Sequence, residues 1–139
     1  MRYLGIDYGT KKVGLAVSDE AGTMGFPHGV FPTTPRLIDD VLALIAQKDV
    51  GAVVIGESLD FKGKENPVAY EARAFGTQLE RRIGIPVMYQ PEVLTTQEAR
   101  RNFEGVREPG SGNVAVDAQA AALILTSYLD THAHERRTD

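Results

Sequence analysis

Cysteine is absent from the chain, which excludes a disulfide framework and thiolate metal sites and fits a reducing compartment. A basic excess is missing too: 15 Lys and Arg stand against 19 Asp and Glu, a formal net charge of -4. Global charge therefore gives no argument for a nucleic-acid partner. The cations are nonetheless grouped locally, at Lys11-Lys12, Lys62 with Lys64, Arg81-Arg82, Arg100-Arg101 and Arg107. No apolar stretch is long enough to span a bilayer. The longest, AVDAQAAALILTSYL, is short and contains Asp117. The opening run has no charged-then-apolar signal pattern, so a cytoplasmic protein without a membrane partner is expected. A chain of 139 residues suits one compact domain, expected over residues 1–130, followed by a flexible tail over 131–139.

Apolar patterning supplies the elements. Residues 2–7 and 13–18 read as strands joined by the short YGTKK linker, hence an antiparallel hairpin. HGVFP adds a third strand. TPRLIDDVLALIAQKD reads as a helix capped by Thr34 with Pro35 at its first position. GAVVIGE has the continuous apolar character of a parallel strand covered on both faces. A helix over 68–83 and a buried strand IPVMYQ follow. Thr95-Thr96-Gln97-Glu98 opens a short helix with a capping-box pattern. The Gly- and Pro-rich stretch 105–112 reads as a loop, and a last helix runs from about Val114 to Leu129. The expected fold is α/β: a mixed five-stranded sheet, three antiparallel strands plus parallel ones, with helices on both faces.

Acids occupy places where apolar residues are expected. Asp7 ends the first strand, Glu57 ends the fourth, and Glu92 lies just past the fifth. Asp117 sits on the apolar stripe of the last helix among Ala115, Ala118, Ala120, Ala121 and Ala122. These small residues let that helix approach the sheet closely. A buried carboxylate without a partner is costly. Two carboxylates ~5 Å apart repel by about 3 kcal/mol at an effective dielectric of 20. No lysine or arginine of these motifs is an obvious counter-charge. A hard divalent cation, Mg²⁺ or Mn²⁺, is the simplest partner for such oxygens. Metal sites of this kind activate water and stabilise the leaving oxygen in phosphodiester cleavage. Lys11 and Lys12 beside Asp7, and Arg100 and Arg101 on the short helix, are candidates for contacts to a nucleic-acid backbone.

The segments GIDYGTKKVGLAVSD, PEVLTTQEA and VDAQAAALIL resemble, in order and spacing, the YqgF family of nucleases, also called RuvX-like or Holliday-junction-resolvase-like proteins. The resemblance implies a ribonuclease H-like fold, a role in trimming the 5′ end of pre-16S rRNA within pre-ribosomal particles, and three metal-holding catalytic acids at Asp7, Glu92 and Asp117. Two departures stand out. The family's Asp-Glu-Arg is Pro91-Glu92-Val93 here, so an arginine contact is lost. Its Gly-x-Pro turn is Gly56-Glu57-Ser58, which makes Glu57 an extra acid able to supplement or replace Glu92. Other readings stay open. Branched DNA is an alternative substrate to structured RNA, and its resolution implies a two-fold homodimer. A non-catalytic RNA- or ribosome-binding protein is a second alternative. GIDYGT also resembles the phosphate loop of actin-like nucleotide-binding modules, although no second Asp-x-Gly stretch matches.

Overall fold

The central strand is apolar on both of its sides, and the rest of the architecture follows from that. The computed structural model of the chain describes residues 1–57, 67–91 and 112–132. Eight elements run in the order β1 (Arg2–Asp7), β2 (Lys12–Ser18), β3 (Gly25–Pro32), α1 (Leu37–Lys48), β4 (Val50–Glu57), α2 (Pro67–Ile83), β5 (Val87–Pro91) and α3 (Gly112–Thr131). The sheet order is β3-β2-β1-β4-β5. β1 pairs antiparallel with β2, and β2 with β3, while β1–β4 and β4–β5 are parallel. The mixed five-stranded sheet expected from the patterning is therefore present.

Alternation along the strands divides the core in two. Leu4, Ile6, Val13, Leu15, Val53 and Ile55 face α1 and α2, meeting Val41, Leu44, Phe75 and Leu79. Tyr3, Ala16, Ala52 and Val54 face α3, meeting Ala121, Ala122, Ile124, Leu125 and Leu129. Each large apolar side chain removed from water contributes about 1.5–3 kcal/mol. The two faces differ in side-chain size. The α3 face is built from glycine and alanine, and the helix comes close: a Cβ on Gly5 would lie 2.8 Å from Leu125 Cβ and 3.0 Å from the Ala121 carbonyl oxygen.

Several boundaries differ from the sequence reading. α1 starts at Leu37, not at Pro35. The Thr34 hydroxyl accepts from the Arg36 amide at 3.2 Å, and the Thr34 carbonyl accepts from Leu37, so Thr34 closes a turn ahead of the helix instead of capping it. β3 begins earlier than expected, at Gly25, whose amide donates to Thr126 Oγ1 of α3 at 3.0 Å. β5 is an edge strand and only half-buried, so its apolar run overstated its burial. Gly112 and Asn113 belong to α3 and not to the preceding loop. The short helix after Thr95 and most of the proposed loop and tail lie outside the described residues. Among the described residues no helix is long and apolar enough to cross a membrane.

Candidate active site

Asp7 is the last residue of the central strand and is only 9% exposed. Its partner in the antiparallel ladder is Gly14. Residues directly opposite in such a ladder project to the same face, about 5 Å apart. That face is the α3 face, because a Cβ on Gly14 would lie 2.0 Å from the Asp117 carbonyl oxygen. The helix backbone at Asp117 thus rests directly on the bare Cα of Gly14. Asp7 and Asp117, 110 positions apart in the sequence, are brought to one spot at the end of the sheet. The close approach is possible only because position 14 has no side chain.

The turn that follows Asp7 is held at both ends. A Cβ on Gly9 would meet the Lys12 carbonyl oxygen at 2.5 Å, so the bend is tight. Thr33 clips this turn to the end of β3: its hydroxyl donates to the Gly9 carbonyl at 2.7 Å and its amide to the Lys11 carbonyl at 3.0 Å. Lys11 is left exposed. Lys12 has the parity of Gly14 and turns to the α3 face, where its Nζ lies 3.0 Å from Asp117 Oδ2. This corrects the reading that no cation of these motifs meets the acids. The pair is a charge contact without hydrogen-bond alignment, since Oδ2 is buried and accepts no hydrogen bond. A buried carboxylate oxygen left in that condition is uncommon and costly.

Glu57 is not brought to this pair. Ile6 of β1 pairs with Ile55 of β4, so the two strands end side by side. Yet Glu57 shares the parity of Ile55, which faces α2. There it forms an ion pair with Arg73 of α2. The Arg73 guanidinium also lies 4.4 Å from the centroid of the Tyr89 ring. Burial raises the Tyr89 hydroxyl pKa, Arg73 opposes that, and Glu80 and Glu57 add to it. Glu57 is therefore a structural partner on the opposite side of the sheet from Asp7 and Asp117.

Glu92, Arg100 and Arg101 lie outside the described residues. Among the described residues no three His, Asp or Glu side chains are gathered as a metal cluster. The two acids that are described suit a hard cation by chemistry: both present carboxylate oxygens, and one of them is buried with no hydrogen bond. Sequence reasoning did not single out Gly14 as a site residue. The available signal was a small residue alternating with Val13 and Leu15 in a chain whose last helix is rich in alanine. His132 plays a local part, with its ring stacked on Tyr128 at 4.1 Å and Nδ1 2.9 Å from the Tyr128 carbonyl.

A sequence model of the RuvX family, described as Holliday junction resolvase, matches residues 1–131. A protein of Nitratidesulfovibrio vulgaris named "Putative pre-16S rRNA nuclease" is 37% identical over 141 residues, covering 99% of this chain and 99% of that protein. One of the same name from Oleidesulfovibrio alaskensis is 38% identical over 136 residues, covering 94% and 92%. Among solved structures, Thermus thermophilus RuvC in complex with a Holliday junction substrate superposes with a TM-score of 0.61 at 21% identity, over 96% of each chain. That likeness identifies the sheet and its helices as the ribonuclease H-like fold of RuvC. With the match running from the first strand through the last helix, the chain belongs to the RuvX family.

Proposed function

We propose that this chain is a nuclease that hydrolyses phosphodiester bonds, that it processes the 5′ end of pre-16S rRNA, and that Asp7, Glu92 and Asp117 hold Mg²⁺ or Mn²⁺ at the end of the sheet. The observation that carries the reading is the seating of Asp117 on Gly14, directly across the ladder from Asp7. The names of the full-length relatives support the substrate. The description of the family model favours a second reading, in which the same acids cut a branched DNA junction and the protein acts as a two-fold homodimer. In either reading the activity resides in one domain over residues 1–130, acting in the cytoplasm, and for rRNA on pre-ribosomal particles.

The chain's own groups divide the work. Asp7 and Asp117 supply hard oxygen donors from two elements that cannot move apart without unseating α3. Glu92 completes the set and orients the attacking water. A divalent ion held there supplies Lewis-acid stabilisation of the phosphoryl oxygens and lowers the pKa of bound water. Lys12, already at the same edge of the sheet, neutralises a phosphate oxygen of the strand being cut. Lys11 on the turn, with Arg100 and Arg101, positions the flanking backbone.

The test is Mn²⁺-dependent cleavage of a pre-16S rRNA 5′ fragment and of a four-way DNA junction. Asp7→Asn and Asp117→Asn are expected to abolish cutting while the urea midpoint stays near that of the wild type. Cutting at the wild-type rate by either variant overturns the site. Whichever substrate is cut faster decides between the two readings.

A further inference from the structure

Beside the acids, on the other face of the same strand end, lies a cleft of about 260 Å³ between the β1–β2 turn, the start of α1 and α2. Tyr8, Thr34, Phe75, Glu71 and Gln78 are among the residues that line it. Its size is below the ~300–1,000 Å³ of pockets for drug-sized ligands, so it suits a single flat ring system. Its walls are aromatic: the Tyr8 and Phe75 rings lie 5.6 Å apart at 41°. Its polar lining carries one charge among the described residues, the carboxylate of Glu71, with Gln78 two turns further along α2. Among the described residues no lysine, arginine or histidine lines it, and there a phosphate is unsuited.

We infer that this cleft is a subsite for one unstacked guanine base of the nucleic-acid strand, with Tyr8 as its stacking wall and Glu71 as its reader. An ionised carboxylate only accepts hydrogen bonds, so the ligand must donate. Guanine presents two adjacent donors on its Watson–Crick edge, N1–H and the N2 amino group, which match the two carboxylate oxygens. Adenine and cytosine each place an acceptor beside their amino group, and uracil flanks its one N–H with two carbonyls, so each meets the carboxylate with repulsion. Single-stranded bases splayed from a strand are commonly bound in this manner, by stacking on an aromatic ring and hydrogen bonding at an edge. Burial raises the Tyr8 hydroxyl pKa and the Glu71 charge adds to it, consistent with the closeness of the two groups. The placement relative to the chemistry is fixed by covalent geometry. Tyr8 follows Asp7 directly, with Cα atoms about 3.8 Å apart, so a strand lying across the sheet end offers its scissile phosphate to one face and a neighbouring base to the other.

The inference rests on the nuclease reading, and its test avoids cleavage. Fluorescence anisotropy in EDTA compares a labelled oligoadenylate with the same strand carrying one central guanosine or one inosine, which lacks the N2 amino group. The wild type is expected to prefer the guanosine strand about ten-fold over oligoadenylate, with inosine between them. Glu71→Gln, a substitution at an exposed position, is expected to abolish that preference, weakening the guanosine strand and, by lifting the repulsion, strengthening oligoadenylate binding. Tyr8→Leu, which keeps an apolar wall against Phe75, is expected to weaken all three strands together. Equal binding of the three strands by the wild type, or a preference that survives Glu71→Gln, overturns the subsite. Either result leaves the Asp7 and Asp117 cleavage tests standing, and loss of those leaves this binding test standing.

Discussion

Replacing Gly14 with alanine adds one methyl group at the place where α3 touches the sheet. The new Cβ would sit 2.0 Å from the Asp117 carbonyl oxygen and 2.5 Å from its carbonyl carbon. An ordinary carbon–oxygen contact needs about 3.3 Å, so the helix backbone must withdraw by more than about 1 Å. Overpacking of this kind costs about 1–3 kcal/mol, and a displacement of about 1 Å in a catalytic group can lower a rate about 10²-fold. Two effects should therefore appear together in Gly14→Ala: a lower urea midpoint at unchanged m-value, and Mn²⁺-dependent cleavage reduced about a hundred-fold at a temperature where circular dichroism shows the variant folded. Gly29→Ala is the control. Nothing lies within 4 Å of a Cβ at Gly29, so stability should be unchanged or rise by up to about 1 kcal/mol with full activity. A Gly14→Ala protein as stable and as active as the wild type would falsify the claim that Asp117 is seated through this contact.

Three further outcomes are expected. Lys12→Met removes the ammonium 3.0 Å from Asp117 Oδ2, so Mn²⁺ no longer competes with it. Calorimetric titration should show tighter Mn²⁺ binding together with weaker binding of RNA in EDTA, and weaker Mn²⁺ binding refutes the assignment. Glu57→Gln breaks the pair with Arg73 on the side of the sheet away from the acids. It should leave Mn²⁺ affinity and cleavage unchanged and lower stability by no more than about 1 kcal/mol; a ten-fold loss of Mn²⁺ affinity would return Glu57 to the metal site. The exposed Asp19 carboxylate accepts from the Thr23 hydroxyl at 2.6 Å and from the Thr23 and Met24 amides, which hold its pKa down to about 2. Its stabilising contribution is present above the ordinary carboxylate pKa and lost as pH falls through about 2. Carboxyl-carbon NMR should show this midpoint, moving up in Thr23→Val; a wild-type midpoint near 4 contradicts the hydrogen-bond account.

The strands and the long helices were legible because their burial is written as periodicity. Val13, Leu15 and Val17 alternate with smaller residues, and GAVVIGE is apolar throughout. Ladder neighbours are less legible. Lys12 shares the parity of Gly14 by spacing alone, but that this face is the face of Asp7 is fixed by the hairpin register, which pairs Asp7 with Gly14. Glu57 shows the same limit. It ends a strand beside Asp7, and only the parity of Ile55 and the position of Arg73 on α2 assign it to the far face. Thr34 and Pro35 carry good capping chemistry, yet the turn closed by Thr34 precedes the helix, because a hydroxyl that can cap a helix can equally close a turn.

Asp117 joins packing to chemistry. A helix held to a sheet by large side chains leaves several ångströms between backbones, and an acid on it would sit away from the strand ends. Here the facing residues on the sheet are Gly5, Gly14 and Ala16, and those on the helix include Ala121 and Ala122. Backbone meets backbone, and Asp117 arrives beside Asp7 by the same contact that closes the core. Two acids placed so close would repel in a chain without metal. Lys12 lessens that cost, since its ammonium faces Asp117 Oδ2 without hydrogen-bond alignment. On the proposed function, such a loosely aligned counter-charge is one that a better-coordinated cation would replace. On the same proposal, Lys12 would then meet a phosphate of the bound strand.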